Sequence, residues 1–373
     1  MTATVHPPFA LPEARDLPSF GTRIDTLRPL ASVEGGPGAQ LRLARSLAAS
    51  LRAEISATGT PQRVSTHDLI SLPYPTKFGL WRAALSPAPF LTITNRVLII
   101  QWQESDGTPR TLVWEPSDVE LDANTPFFAN LAAKTPDRFR ALAVREHSDV
   151  PGAMRSAGID PSDVDYIAFD HLHTQDVRKW LGTTKPQADI SPGFAVTAFF
   201  PKAKLIVQRA ELAAMSDLHP LQLPWYQPAT FVDLPSERLL AIDGDVLLGP
   251  GIALIATPGH VIGNQTLVLN TSSGIWATSE NAIAAECMTP EHSKIPGVAK
   301  WARTWGQEVI LNANTIEATA AQYNSMVIEK TLVDRSRKDE RFVQFFPSSE
   351  LTRHWMNPGT APTFTHDRIE HRA

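Results

Sequence analysis

Val164-Asp-Tyr-Ile-Ala-Phe169 runs directly into Asp170-His-Leu-His-Thr-Gln-Asp176. The first of these stretches is apolar and β-rich and follows the turn Asp160-Pro-Ser-Asp163, so it predicts a short buried strand. The second places His171 and His173 directly after that strand. Loops at the carboxyl ends of strands are where α/β proteins usually carry their chemistry. We therefore expect a functional site in this loop.

The same alternation of strands and helices continues on both sides of this segment. Another apolar run, Ile252-Ala-Leu-Ile-Ala256, ends in Thr257-Pro-Gly-His260. Apolar residues at helical spacing predict an amphipathic helix from Ala39 to about Ile55 and a second helix from about Thr315 to Leu332, with Asn314 as its N-cap. Alternating strands and helices, with hairpins between them, predict an α/β layered fold.

The composition excludes several classes of protein. The chain has 373 residues, of which 43% are apolar and 20% charged, which is enough to bury a core and excludes wholesale disorder. The net charge of −5 does not favour nucleic-acid binding. There is no apolar run long enough to span a membrane and no pattern of a signal peptide, so a cytoplasmic protein without a membrane partner is expected. A single cysteine, Cys287, excludes an intramolecular disulfide framework and a thiolate-rich zinc site.

Three histidines are candidates for metal ligands. His171 and His173 are two residues apart, and in an extended segment or tight loop their imidazoles can point the same way and bind one ion. His260 also follows a strand, and can join them if the two strand ends meet. Any metal in this protein must be held by nitrogen and oxygen ligands.

Three segments carry a resemblance to a known family. They are Ala157–Asp176, Phe200–Glu211 and Leu240–Gly263. In this order they resemble the metallo-β-lactamase fold superfamily, nearest to the branch that contains the N-acyl homoserine lactonases, over roughly residues 90–350. The resemblance implies an αββα sandwich with a metal site at one edge, between the two sheets. On this basis we divide the chain into an extension with one amphipathic helix (1–60), a metallo-β-lactamase-like domain (61–357) and an irregular tail (358–373).

The first motif keeps two of the family's four ligands. The family reads His-x-His-x-Asp-His, and this chain reads His171-Leu-His-Thr-Gln-Asp176. Gln175 therefore stands where the family has aspartate, and Asp176 stands where it has histidine. Together with His260 from the third motif, the ligands of the family's first metal are kept.

The remaining ligands of the family's second metal are replaced. Asn281 stands at the position of the bridging aspartate, with Glu280 beside it, and Ser348 stands at the position of the last histidine. The resemblance thus implies one ion held by three histidines. Glu280 and Asp176 each lie one residue from a lost ligand. A shift of the loop could bring either of them, or the Asn281 amide, to the metal, and the opposite interpretation is that they are ordinary acidic loop residues.

The first functional hypothesis is a metal-dependent hydrolase of a lactone or another carboxylic ester. A single zinc ion on His171, His173 and His260 would supply a metal-bound hydroxide as nucleophile. Asp176 or Glu280 would orient the water or take its proton, and Gln175 could bind the oxyanion.

Two alternatives remain open. The fold could be a catalytically inactive binding protein, since four ligand positions have changed. The same histidines could instead hold iron in an oxidoreductase, because a set of histidines and carboxylates suits both metals. The amphipathic helix of the extension also leaves a homodimer open.

Overall fold

A computed structural model describes residues 20–373, so the first 19 residues of the predicted extension lie outside the described part. Within residues 20–373 the chain forms sixteen strands and ten α-helices. The strands are β1 Thr22–Ile24, β2 Arg63–Pro75, β3 Phe90–Gln103, β4 Pro109–Trp114, β5 Arg145–Glu146, β6 Tyr166–Ala168, β7 Pro186–Gln187, β8 Ser191–Ala195, β9 Lys204–Gln208, β10 Leu239–Ile242, β11 Asp245–Gly249, β12 Ile252–Ala256, β13 Gln265–Thr271, β14 Gly274–Thr278, β15 Ser349–Leu351 and β16 His371–Arg372. The helices are α1 Gly36–Ala57, α2 Thr76–Gly79, α3 Val119–Asp122, α4 Pro126–Lys134, α5 Asp137–Ala143, α6 Val150–Ala157, α7 Arg178–Leu181, α8 Arg209–Ser216, α9 Val298–Trp305 and α10 Thr319–Leu332.

Most of the strands belong to two sheets. The described residues give one sheet the order β1-β11-β12-β13-β14, with every neighbouring pair antiparallel. The other sheet has the order β10-β9-β6-β4-β3-β2-β16, with β15 added beside β3 and β5 beside β2. Within it β4, β6, β9 and β10 run parallel. Parallel neighbours need a crossover connection, and helices α3 to α6 lie between β4 and β6 while α8 lies between β9 and β10.

The two sheets pack face to face, with helices on both outer faces. Side chains of β3 alternate, so Leu98 and Ile100 point into the core between the sheets, against Leu254 and Leu267. Their neighbours Val97 and Ile99 point the other way, toward helices α6 and α8. Helices α1 and α10 cover the outer face of the sheet of β11 to β14. The layers therefore run α, β, β, α, which confirms the predicted fold class.

The predicted helix from about Thr315 begins later than expected. Helix α10 starts at Thr319 with Ala318 at its N-cap, and that cap makes no side-chain hydrogen bond. Glu317, which the pattern placed inside the helix, binds the amide of Gln222 instead. Residues 314–318 therefore form part of the loop beside the strand ends, and the predicted capping role of Asn314 is wrong.

The fold brings strand ends from both sheets to one edge. The loop after β6 carries His171 and His173, and belongs to the mixed sheet. His260 follows β12 and Glu280 follows β14, both in the antiparallel sheet.

Among the described residues, no helix has both the length and the apolar character that crossing a bilayer requires. The homodimer and the cytoplasmic location stay predictions from the sequence.

Candidate metal centre

The three predicted histidines meet at the edge between the sheets. One ring nitrogen from each of His171, His173 and His260 lies within 4.8 Å of those from the other two. The ring centroids are 4.6 Å apart for the first pair, and 4.7 and 5.2 Å from His171 and His173 to His260. All three side chains are buried. Within residues 20–373 they form the only such group of histidine, cysteine or acidic side chains.

The orientation of His171 is set by the residue before it. Nδ1 of His171 donates to Oδ1 of Asp170 at 2.5 Å, and Oδ2 of Asp170 accepts from Ser348 Oγ at 2.7 Å. Burial opposes protonation of His171, but the adjacent Asp170 carboxylate outweighs it and raises the pKa of this histidine. With Nδ1 engaged, Nε2 of His171 is the nitrogen that faces the other rings.

His173 is held by an amide whose own orientation is fixed. Oε1 of Gln222 lies 2.8 Å from Nε2 of His173, and Nε2 of Gln222 donates to Oε1 of Glu317 at 2.7 Å. Because an amide nitrogen donates and its oxygen accepts, this contact with Glu317 presents the Gln222 oxygen to His173. Nε2 of His173 therefore carries the proton, and Nδ1 keeps its lone pair.

His260 is oriented by backbone groups. Its Nδ1 donates to the carbonyl oxygen of Asn312 at 2.8 Å, and its backbone N–H donates to Oδ1 of Asn281 at 3.0 Å. Gln322 Nε2 donates to the same Asn312 carbonyl at 2.6 Å. Nε2 of His260 is left facing Nδ1 of His173 at 3.3 Å.

These contacts fit a divalent metal ion. Burial lowers the pKa of His260 to about 3 and lowers that of His173 well below its usual value, so both rings are neutral. Two neutral rings would then face each other through lone pairs, with no hydrogen between them. A cation at the point where Nε2 of His171, Nδ1 of His173 and Nε2 of His260 converge relieves that repulsion. Three imidazole nitrogens are an established zinc ligand set, and each ring has the outer hydrogen-bond acceptor typical of metal-binding histidines.

Replacing Gln222 tests this outer layer of contacts. Gln222→Leu removes the acceptor that fixes His173, and we expect metal affinity to fall by about 10- to 100-fold. Competition with a chromophoric chelator measures the change. Gln227→Leu is the matched control, because Gln227 is buried in the same loop but donates to the carbonyl of Leu121. Equal metal affinities for the two variants would contradict the role of Gln222.

Glu280 faces the same cavity as the histidines but lies outside their cluster. Asn312 Nδ2 donates to Oε1 of Glu280 at 3.3 Å, and Ser349 also hydrogen-bonds to this carboxylate. Burial, together with the nearby Asp170 carboxylate, raises the pKa of Glu280 to about 8 in the protein without an ion. A bound cation lowers such a pKa by favouring the charged form. The Glu280 carboxylate is thus fixed by hydrogen bonds in the same cavity as the histidines, and its protonation depends on whether a cation is bound.

Asp176 is not brought to the cluster. Both of its carboxylate oxygens accept from the Arg178 guanidinium, at 3.0 Å from Nε and 2.6 Å from Nη2. Arg178 also binds the exposed Asp189, so a buried ion pair between Asp176 and Arg178 is extended to the surface. The structure therefore gives Asp176 a partner that competes with the predicted roles of ligand and base.

Asn281 is also turned away from the histidine nitrogens. Its Oδ1 accepts from the His260 backbone, and its Nδ2 donates to Glu329 Oε1 at 3.0 Å and to Thr257 O at 3.3 Å. Asn281 thus fixes the loop that carries His260, with both hydrogens of its amide and one lone pair of its oxygen used inside the protein.

Gln175 lines the cavity beside the histidines. Its Nε2 donates to Ser117 Oγ at 2.9 Å, while its buried Oε1 has no hydrogen-bond partner in the described part of the chain. The predicted contact of Gln175 to an oxyanion stays a prediction, and it would use the second hydrogen on Nε2.

Sequence reasoning missed Asp170 and Glu115. Glu115 Oε1 accepts from the backbone N–H of Asp170 at 2.6 Å, which fixes the start of the histidine loop. Glu115 has a positive φ of 59° and Thr174, within that loop, a φ of 66°. Such strained backbone is concentrated at functional sites. The available signal was a charged residue directly after the apolar run Thr111-Leu-Val-Trp114, at the carboxyl end of a strand.

The sequence is similar to known lactonases over about a third of its length. It is 28% identical over 126 residues to an N-acyl homoserine lactonase of Bacillus sp. and 29% identical over 126 residues to the N-acyl homoserine lactonase AiiA of Bacillus thuringiensis subsp. kurstaki. Each alignment covers 34% of this chain, and the chain spans 41% of the length of these curated relatives. No family model matches the chain.

Several solved structures align with a large part of this chain. One is an N-acyl homoserine lactone hydrolase with the product N-hexanoyl-L-homoserine at its catalytic metal center, with 18% identity, 66% of this chain and 86% of that chain covered, and a TM-score of 0.43. Another is AidC, a dizinc quorum-quenching lactonase, with 11% identity and a TM-score of 0.47. This alignment covers 80% of the present chain and 90% of AidC. A third is AbOPH, a hydrolase in the beta lactamase superfamily, with 12% identity and a TM-score of 0.38. This alignment covers 84% of the present chain and 98% of AbOPH. The sequence similarity confirms the predicted resemblance to the N-acyl homoserine lactonases.

Proposed function

We propose that this protein is a metal-dependent hydrolase of a lactone or another carboxylic ester, with one ion held by His171, His173 and His260. The convergence of three buried imidazole rings, each oriented by a hydrogen bond from its other nitrogen, is the observation that carries the proposal. The sequence similarity to N-acyl homoserine lactonases supports a carboxylic ester as substrate.

The ion and the protein have separate tasks in this reaction. His171, His173 and His260 would hold a zinc or iron ion, which would supply a Lewis acid and, as zinc, would lower the pKa of bound water toward ~7. Glu280 is the base that we assign to the reaction, because its carboxylate faces the cavity and is held by Asn312 and Ser349. Gln175 donates from its free amide hydrogen to the substrate oxygen that becomes negative. Proton transfer by a positioned carboxylate contributes about 10²- to 10⁴-fold to the rate of such reactions.

The partners of the other candidate ligands support our proposal of a single ion. Asp176 is bound by Arg178, Asn281 by backbone and by Glu329, and Ser348 donates to Asp170. These residues stand at the family's second-metal positions, and each one is used in holding the protein together.

Elemental analysis of protein purified without an affinity metal, beside hydrolysis of γ-lactones and 4-nitrophenyl esters, tests the proposal. We expect about one zinc or iron per chain and ester or lactone hydrolysis that a chelator abolishes and the metal restores. Two ions per chain would contradict the single-ion site. Protein without metal, and without a thermal shift on adding zinc, would overturn the proposal and favour the inactive binding protein. Metal without hydrolysis, together with iron redox chemistry, would favour the oxidoreductase.

A further inference from the structure

A buried carboxylate outside the histidine cluster contacts the loop that carries two of the three histidines. Glu211 lies in the first turn of helix α8 and is 0% exposed. Its Oε1 accepts from the backbone N–H of Leu172 at 2.9 Å. Because Leu172 stands between His171 and His173, this hydrogen bond fixes the backbone from which both imidazoles project.

The Leu172 N–H depends on this side chain for an acceptor. Leu172 is buried and lies outside the strands, so no neighbouring strand pairs with it. A buried backbone N–H that has no acceptor destabilises a fold. Here the acceptor comes from a helix residue 39 positions further along the chain. The position of the histidine loop is therefore set by the position of helix α8.

The same carboxylate oxygen restrains His173 from a second side. The Tyr226 hydroxyl donates to Oε1 of Glu211 at 2.8 Å. Burial, together with the Glu211 carboxylate, raises the pKa of Tyr226 well above its usual value, so the phenol keeps the proton that it donates. The Tyr226 ring packs edge-on against His173, and the backbones of these two residues form an antiparallel β-bridge. Glu211 thus restrains His173 through its backbone and through its ring.

The third histidine is reached by close packing of the backbone. Gly263 lies three residues after His260, in the same loop. A Cβ atom at Gly263 would lie only 2.3 Å from Cα of Glu211, so the loop can lie this close to helix α8 only with glycine at that position. The helix at Glu211 therefore contacts the segments that carry all three histidines.

The two oxygens of the Glu211 carboxylate are used unequally. Oε1 accepts both hydrogen bonds, whereas the buried Oε2 has no hydrogen-bond partner among residues 20–373. A glutamine at this position can keep both bonds on its Oε1, with its amide nitrogen in the place of Oε2. A leucine fills a similar volume but can accept neither bond. The two substitutions thus differ in the contacts that hold the loop.

We propose that Glu211 is a positioning residue of the metal centre, which holds the segment of His171 and His173 against Tyr226 and against the His260 loop, so that the three imidazoles converge. The inference rests on the proposed function for the identity of the metal site. The arrangement of the rings that it explains is already present in the protein without metal, and can be tested there.

Metal affinity distinguishes the two substitutions. Glu211→Leu removes both hydrogen bonds, and the affinity for Zn²⁺ should fall about 10- to 100-fold, as it does when residues that orient metal ligands are replaced. Glu211→Gln keeps both bonds and should bind Zn²⁺ as the wild type does. Competition with a chromophoric chelator measures both affinities, and the visible spectrum of bound Co²⁺ shows whether the geometry of the ligands has changed. Equal losses in the two variants would overturn the positioning role.

The same variants can be compared without metal and without turnover. Nitrogen NMR of labelled histidines in the metal-free protein shows which ring nitrogen carries the proton. We expect His173 to be protonated on Nε2 in the wild type and in Glu211→Gln, and to show both tautomers in Glu211→Leu, because its ring is then no longer held opposite Gln222. An unchanged His173 tautomer in folded Glu211→Leu would overturn the inference. A wild type that binds no metal would refute the proposed function, and these spectra would still decide the inference.

A buried glutamate elsewhere separates positioning from stability. Glu286 is also 0% exposed and accepts from Ser293 and Thr363, but it does not line the cavity of the histidines. Glu286→Leu should lower the free energy of unfolding in urea, as Glu211→Leu does, and should leave the affinity for Zn²⁺ unchanged. An equal loss of affinity in the two leucine variants would overturn the assignment to Glu211.

A milder substitution keeps the inference testable if Glu211→Leu does not fold. Tyr226→Phe removes one of the two bonds to Glu211 and keeps the ring against His173. We expect the affinity for Zn²⁺ to fall by a smaller factor than in Glu211→Leu, with a changed Co²⁺ spectrum. Wild-type affinity and an unchanged spectrum in Tyr226→Phe would overturn the inference.

Discussion

His173→Ala is expected to lose bound metal and hydrolytic activity together. Removing one of three imidazoles leaves two nitrogens, fewer than the three protein ligands of an established catalytic zinc site. We expect metal content to fall from about one ion per chain to below about 0.1, and kcat/KM to fall by about a thousandfold or more, since water at the site is no longer activated. Elemental analysis and ester hydrolysis on the same preparation measure both changes.

The result is informative only if the variant folds. The His173 ring packs edge-on against Tyr226 with centroids 4.6 Å apart, so its removal opens a small space in the loop. His173→Gln keeps most of the side-chain volume and should lose metal as well, with an unchanged circular dichroism spectrum. His292→Ala, at a partly exposed histidine outside the cluster, should keep both metal and activity. Full activity in a folded, metal-free His173 variant would refute the metal-dependent mechanism.

The part of the site that could be predicted is the part encoded locally. His171 and His173 lie two residues apart in the loop after a strand whose apolar pattern is plain, and His260 follows a second such strand. Their partners could not be predicted in the same way, because Gln222 lies 49 residues from His173 and Asn312 lies 52 residues from His260. Which nitrogen of each ring faces the ion depends on those distant contacts.

For the fold as well, the locally encoded features could be predicted and those that depend on distant contacts could not. Alternating strands and helices predicted the layers, since burial on one or both faces of an element leaves a periodic pattern. The start of helix α10 was predicted wrongly, because Asn314 resembled an N-cap in sequence, while the Glu317 carboxylate that follows it accepts from Gln222 outside any helix. The partner of Asp176 was two residues away at Arg178, so a closer look at local charge pairing would have questioned Asp176 as a ligand.

Glu280→Gln is expected to separate catalysis from metal binding. The amide keeps the shape of the side chain and one acceptor oxygen for Asn312 or Ser349, but it cannot take a proton, so kcat should fall by about 10²- to 10⁴-fold. Metal content should stay near that of the wild type, because Glu280 lies outside the three-histidine cluster. Rate measurements at saturating substrate, paired with elemental analysis, test this expectation.

Asp176→Asn provides the contrast that makes the assignment specific. Arg178 would lose a charged partner in a buried setting, and breaking such a pair typically costs about 3–5 kcal/mol of folding free energy. Asp189 still binds Arg178, which places the expected loss at the lower end of that range. The folded fraction should keep its kcat. Urea unfolding should therefore show a lower free energy of unfolding, while turnover per folded molecule stays the same. The reverse pattern, a loss of kcat in Asp176→Asn and none in Glu280→Gln, would move the base to Asp176 and require the Arg178 pair to open during turnover.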